Sequence, residues 1–135
     1  MSPPALEVRR LVASFGDVKV LCCLDLVIEK GEIVTIVGQN GSGKTTLLRA
    51  ICGLHEIDSG EVFVNGNEVT NVSTSRRGIG MIFQQPLLMP QLDVAGNLAL
   101  GISRDVPRTA VKEIITQALF DLRLSGYERR RVDTL

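Results

Sequence analysis

The sequence predicts an α/β fold, and three observations support that prediction. Two runs near the start, Leu6–Ala13 and Val18–Ile28, are rich in residues that favour strands. A third apolar run, Ile33–Val37, leads through a glycine-rich loop into apolar residues at helical spacing. The final third of the chain shows helical periodicity. Strands and helices are therefore predicted to share this chain of 135 residues.

Three short segments complete the prediction of strands. The first two runs are expected to pair as antiparallel neighbours, because only Ser14–Asp17 separates them. Glu61–Val64 and Glu68–Val69 flank Asn65-Gly66, a dipeptide that favours the type I′ turn of a hairpin. Gly80–Phe83 is predicted as a further strand.

Three helices are predicted. Lys44–Cys52 is followed by Gly53, a typical residue after a helix. Asp93 is a good N-cap for Val94–Leu100, and Pro107–Leu122 begins with a proline that suits the first turn. The apolar face of the last helix consists of Val111, Ile114, Ile115, Ala118, Leu119 and Leu122.

Composition limits the function classes. The length suits one small domain, and the net charge of zero gives no support for a nucleic-acid partner.

Cys22, Cys23 and Cys52 are expected to be reduced core residues, since they lie among apolar residues without metal-ligand spacing. The only histidine, His55, is expected to be an ordinary loop residue. No leader or membrane span is recognised, so the chain is predicted to be soluble and intracellular.

The glycine-rich loop carries the strongest chemical signal. Gly38–Thr46 reads GQNGSGKTT, which matches the phosphate-binding pattern GxxxxGK[ST] between a strand and a helix. Glycines let backbone N–H groups surround an anion, Lys44 can reach the outer phosphates, and Thr45 can offer its hydroxyl to Mg²⁺. The sequence therefore predicts a P-loop nucleoside triphosphatase core that binds a nucleoside triphosphate.

A complete hydrolytic site is not recognised. Such sites need a second magnesium carboxylate after a buried strand and a group that orients water. Asp25 follows an apolar run but in a predicted antiparallel strand, and Asp121 lies on an amphipathic helix. Asp93–Gly96 matches the DxxG of small GTPases, but no strand leads into it and no guanine-reading Asn-Lys-x-Asp occurs.

Several motifs in order resemble the nucleotide-binding domain of ATP-binding cassette (ABC) transporters, from about Leu6 to Leu135. Besides the P-loop, the resembling segments are Ser14–Gly16, Asp25–Gly31, Asp58–Glu61, Val64–Gly66, Gly78–Gln84 and Leu88–Asn97. The last resembles a run found in ABC importers. The resemblance implies residues 1–135 are the N-terminal part of one domain, with core and β subdomain to about residue 85 and a Q-loop and partial helical subdomain from about 86.

The resemblance also implies roles for individual residues. Phe15 would stack on adenine, and Gln84 would touch Mg²⁺ or the attacking water, so Lys44 and Gln84 are candidate catalytic residues. Thr45 and Gln84 would bind the metal. The ATP-binding set would be Phe15, Gly38, Asn40, Gly41, Ser42, Gly43, Lys44, Thr45 and Thr46.

Partners follow from the same resemblance. The apolar loop Pro86–Leu92 would contact a transmembrane permease subunit, and ATP would bind between this domain and a second nucleotide-binding domain. The protein would lie on the inner face of the cell membrane, without a span of its own, and couple ATP hydrolysis to import.

The sequence departs from the family after the Q-loop. Arg131–Leu135 resembles the residues that lead into the LSGGQ signature, so the chain is expected to be a fragment or truncation that binds ATP without hydrolysing it alone. Two alternatives stay open: a P-loop or ABC ATPase unconnected with transport, and a nucleotide-binding module that never hydrolyses.

Overall fold

The computed structural model describes residues 2–85, 87–103 and 105–132. These residues form two compact units, Met1–Met81 and Ile82–Leu135, here called the N-terminal and the C-terminal unit. No helix within the described ranges is long and apolar enough to cross a membrane.

The N-terminal unit is built on an antiparallel sheet. Strands β1 (Leu6–Phe15) and β2 (Val18–Ile28) form the predicted hairpin, and β3 (Ser59–Val64) pairs with the other edge of β1. The two-residue strand β4 (Asn67–Glu68) extends the sheet to the order β2-β1-β3-β4. The turn between β3 and β4 has φ of 50° at Asn65 and 80° at Gly66, as the predicted type I′ turn requires.

One face of this sheet is covered by helix α1 (Lys44–Cys52), which spans the predicted residues. A short 3₁₀ helix, Thr74–Arg76, follows the sheet. The hydrophobic core between helix and sheet consists of Val8, Leu11, Ala13, Leu21, Leu47, Ala50, Ile51, Val62 and Val69. Since Leu47, Ala50 and Ile51 of α1 pack into this core, the start of the helix and the loop before it are held in place.

Two predicted strands are not formed. Residues 32–39 and 78–83 have no regular secondary structure, which corrects the predictions for Ile33–Val37 and Gly80–Phe83. A strand is defined by its neighbours, and among the described residues neither segment has a hydrogen-bonded partner strand. Consequently Ile33 is 93% exposed and Ile82 is 99% exposed.

The prediction that all three cysteines are core residues is wrong for two of them. Cys52 is buried in α1, but Cys22 and Cys23 are exposed. The β1–β2 register shifts between Leu11 and Ala13, where Cys22 and Cys23 lie opposite the single residue Val12, and Cys23 has a φ of 52°. Such a bulge turns two consecutive side chains of a strand to the same face, so both thiols of the pair reach solvent.

The C-terminal unit contains helices α2 (Val94–Leu100) and α3 (Arg108–Asp121). Asp93 caps α2 as predicted: its Oδ1 accepts a hydrogen bond of 2.7 Å from the N–H of Gly96. Pro107 precedes α3 as its N-cap. Of the predicted apolar face of α3, Ile115 and Leu119 are buried, whereas Ile114 and Leu122 are exposed.

Candidate functional site

The predicted phosphate loop, Gly38–Thr46, connects the irregular segment 32–39 to the start of α1. Its position depends on Leu47 and Ala50, whose side chains are buried in the core. Gly38, Asn40, Gly41, Ser42 and Thr45 are exposed, while Lys44 and Thr46 are partly buried. The structure thus brings the predicted phosphate-binding residues together on the surface of the N-terminal unit.

Gly43 determines how closely α1 approaches the sheet. It is the N-cap of α1 and has a φ of 89°, in the left-handed region that favours glycine. A Cβ at this position would lie 2.9 Å from Cγ1 of Val20 and 3.1 Å from Cδ2 of Leu21. Because these contacts are too short, the position requires glycine for steric reasons as well as for its backbone angle.

The ammonium group of Lys44 is folded back onto the loop. Its Nζ donates hydrogen bonds to the carbonyl oxygens of Gly38 and Gln39, at 2.8 and 2.7 Å. The hydroxyl of Ser42 accepts a longer one at 3.4 Å. These three acceptors are neutral, so an anionic oxygen that replaced one of them would bind the ammonium group more strongly.

The donors at this loop fit a phosphate group. The N–H groups in the first turn of α1 have no acceptor within the helix, and the helix dipole makes this end positive. Lys44 adds a full charge, and Thr45 presents a hydroxyl. Within the ranges described, no group of three or more His, Cys, Asp or Glu could hold a metal ion.

Gln84, the other candidate for catalysis and metal binding, belongs to the C-terminal unit. It is exposed and lies outside any helix or strand. The loop that follows, residues 87–92, exposes Leu87, Leu88 and Met89. Pro86, which belongs to the predicted partner surface, lies outside the described residues.

Phe15 ends strand β1 at the β1–β2 turn, and its side chain is 68% exposed. Its ring is stacked on the ring of His55, with 5.8 Å between centroids and 8° between planes. His55 lies in the loop after α1, where an ordinary loop residue was predicted. Since Phe15 and His55 are 40 positions apart in the chain, no local sequence pattern could have revealed this contact.

The two carboxylates considered as magnesium ligands have other partners. Oδ1 of Asp25 accepts a hydrogen bond of 2.8 Å from the N–H of Arg10. Oδ1 of Asp121 accepts one of 2.7 Å from Nε2 of Gln117, one turn earlier on α3. Each interaction stabilises local structure: the first holds the bulged hairpin and the second the end of a helix.

The chain is similar to known proteins over nearly its whole length. Residues 21–135 match the family model described as ABC transporter. The Fe(3+) ions import ATP-binding protein FbpC of Photobacterium profundum is 39% identical over 128 residues, which cover 94% of this chain and 36% of that protein. The spermidine/putrescine import ATP-binding protein PotA of Pasteurella multocida is 35% identical over 125 residues, or 92% of this chain and 34% of PotA.

A solved structure also matches. The ATP-binding cassette MJ1267 of an ABC transporter superposes with a TM-score of 0.80 and 28% sequence identity, and the match covers 100% of this chain and 59% of MJ1267. The α/β fold with an antiparallel sheet agrees with that of this ABC ATPase. The chain spans about a third of the length of both curated relatives, at 36% of FbpC and 34% of PotA.

Proposed function

Because this chain belongs to the ABC transporter family, we propose that it is part of an ATP-binding subunit that drives import across a membrane. The observation that carries the proposal is the loop Gly38–Thr46, where the positive end of α1 and the ammonium group of Lys44 meet. Import is favoured over export because FbpC and PotA are both import ATP-binding proteins.

Each group at the site has a proposed task. Lys44 neutralises the outer phosphates, and the loop N–H groups from Gly38 to Thr46 bind phosphate oxygens. Thr45 and Gln84 bind the Mg²⁺ that accompanies ATP, and Gln84 also orients the attacking water. Phe15 offers the face of its exposed ring to adenine.

The proposed partners extend the site beyond this chain. The exposed residues Leu87–Met89 suit a contact with a transmembrane permease subunit, because apolar side chains at a surface favour protein association. A second nucleotide-binding domain would cover the phosphate loop. The subunit would therefore act at the inner face of the cell membrane, and the 135 residues alone would bind ATP without sustained turnover.

Nucleotide binding by a Lys44→Ala variant tests the phosphate site. Loss of a charged hydrogen-bond donor costs about 1.5–3 kcal/mol, so a fluorescent ATP analogue should bind at least about tenfold more weakly. Lys112→Ala is the matched control, since Lys112 is exposed on α3 in the C-terminal unit.

Equal binding by the Lys44→Ala and Lys112→Ala chains would refute the phosphate site. Phosphate release provides the second measurement. Steady release by the unmodified chain above the Lys44→Ala background would contradict the proposal that these 135 residues do not hydrolyse ATP alone.

A further inference from the structure

We propose that His55 is a positioning residue for the nucleotide base: its ring supports one face of Phe15, so that the other face is held ready for adenine. The inference rests on the proposed function, because it takes Phe15 as the ring on which the base stacks. His55 is thereby added to the proposed nucleotide site, and it contacts Phe15 only in the folded chain.

The stacking geometry is the first support. The two planes differ by only 8° and the centroids are 5.8 Å apart, which is an offset parallel arrangement. Phe15 nevertheless remains 68% exposed. One face of the phenyl ring is therefore partly overlapped by His55, and the ring keeps ample surface for a planar base.

The imidazole itself is held in place. Nε2 of His55 lies 2.9 Å from the carbonyl oxygen of Ser14, the residue before Phe15. Because a carbonyl can only accept, Nε2 is the donor in this contact. The hydrogen bond and the ring stack thus join His55 to two consecutive residues of β1.

The loop that carries His55 is also tied to β1. The hydroxyl of Ser14 donates to Oδ2 of Asp58 at 2.5 Å. The N–H of Asp58 donates to the carbonyl oxygen of Val12 at 2.8 Å. With its loop fastened at these points, His55 forms a fixed support for a ring that would otherwise rotate freely at the surface.

Such support affects affinity through preorganisation. A phenyl ring that already has the orientation required for stacking loses less conformational freedom when the base binds. Aromatic pairs contribute about 0.5–1.5 kcal/mol beyond their buried area, so loss of the His55 ring should weaken ATP binding about two- to tenfold. Binding of a ligand without a base should not change.

The test compares ATP with inorganic tripolyphosphate, measured by calorimetry on the full chain. We expect His55→Ala to raise the Kd for ATP about two- to tenfold. The Kd for tripolyphosphate should change by less than about twofold. Phe15→Ala should weaken ATP by about fivefold or more, since base–aromatic stacking contributes about 1–3 kcal/mol. If His55 had only a general structural role, His55→Ala would weaken the binding of both ligands equally. That result would overturn the inference.

Two conservative variants separate the ring from its hydrogen bond. His55→Phe keeps a stacking ring without the Nε2 donor, and it should retain most of the affinity for ATP. His55→Gln keeps a donor for the Ser14 carbonyl without a ring, and it should bind ATP as weakly as His55→Ala. The reverse order of these two variants would show that stacking is not the role of His55.

The outcomes distinguish this inference from the proposed function. If Phe15→Ala weakens ATP binding but His55→Ala does not, the inference fails and the nucleotide site stands. If Phe15→Ala has no effect while Lys44→Ala does, the assignment of the base-stacking ring fails and the inference fails with it. If Lys44→Ala also has no effect, the proposed nucleotide site itself is refuted.

Discussion

At the scale of single residues, Gly43 connects the packing of the core with the geometry of the phosphate loop. Its positive φ of 89° lets the chain turn from the loop into α1, and its missing side chain makes room for Val20 and Leu21 of β2. Gly41 also has a positive φ, 83°, but a Cβ there would meet nothing within 4 Å. A comparison of alanine substitutions at the two positions therefore distinguishes the cost of backbone strain from the cost of steric overlap.

We expect Gly43→Ala to lower the free energy of unfolding by about 2–4 kcal/mol, since a left-handed alanine costs about 1–2 kcal/mol and forced overlap about as much again. Gly41→Ala should lower it only by the backbone contribution, about 1–2 kcal/mol. Urea denaturation followed by circular dichroism measures both. Equal losses for the two variants would show that the side chains of Val20 and Leu21 move aside without lowering the free energy of unfolding.

Cys52 gives a prediction about pH. Burial in α1 raises the pKa of this thiol above its ordinary value of 9.0, while the nearby charge of Arg77 opposes the rise. The thiol of the unfolded chain thus ionises at lower pH than that of the folded chain. The stability contributed by the neutral buried thiol is complete below the unfolded pKa and is lost as pH rises toward the folded pKa.

The comparison of wild type with Cys52→Ala isolates this effect, because Cys22 and Cys23 are exposed and present in both chains. The stability advantage of the wild type should shrink between about pH 8 and about pH 10, where thiols titrate. Urea unfolding at several pH values measures it. A constant difference across this range would mean that the thiol titrates alike in both states.

At the scale of elements, Arg77 completes the C-terminal end of α1. Its side chain is only 8% exposed and donates to four carbonyl oxygens. Two belong to Ala50 and Ile51 in the last turn of α1, at 3.1 and 2.9 Å. A cation at this end also suits the helix dipole. Burial lowers the pKa of Arg77, and the guanidinium still stays charged at neutral pH.

Arg77→Met should lower the free energy of unfolding by about 2–4 kcal/mol, because several buried carbonyl groups lose their donor at once. The adjacent Arg76 is exposed, so Arg76→Met is a matched control that should change stability by less than about 0.5 kcal/mol. Thermal unfolding of the three chains provides the comparison. Similar stability of Arg76→Met and Arg77→Met would rule out this capping role.

The N-terminal cap of α2 could be predicted more directly than the side chain that caps the C-terminal end of α1. An Asp immediately before a helical pattern identified its N-cap, and Asp93 does accept the hydrogen bond from Gly96. Arg77 lies 24 residues beyond Gly53, the residue that follows α1, so its capping role depends on tertiary folding. The same difference explains why the β1–β2 and β3–β4 hairpins could be predicted while the exposed thiols of the bulge could not.

At the scale of the whole molecule, the segment 32–39 differs most from its prediction. Its continuous run of β-branched residues predicts a strand, yet within the described residues nothing pairs with it. Only one of its aliphatic side chains, Ile36, packs on the core of the N-terminal unit. Ile33 and Val37, at 93% and 85% exposure, contribute little to the stability of this chain.

We therefore expect Ile36→Thr to lower the free energy of unfolding by about 1 kcal/mol or more, since it puts a hydroxyl against the core. Ile33→Thr is the matched control and should stay within about 0.5 kcal/mol of the unmodified chain. Equilibrium denaturation gives both values. A large loss for Ile33→Thr would show that this residue is buried, as in a strand between two neighbours.

The sequence by itself determined the glycine-rich loop before α1, the two hairpins, the three helices and the family resemblance. These features depend on residues close together in the chain: a turn dipeptide, a capping side chain, a glycine before a lysine. Tertiary structure alone decided that Phe15 meets His55, that Arg77 caps α1 and that Cys22 faces solvent. It also decided that residues 32–39 form no strand. Such outcomes depend on which distant segments pack or pair together, and a local sequence pattern does not identify those partners.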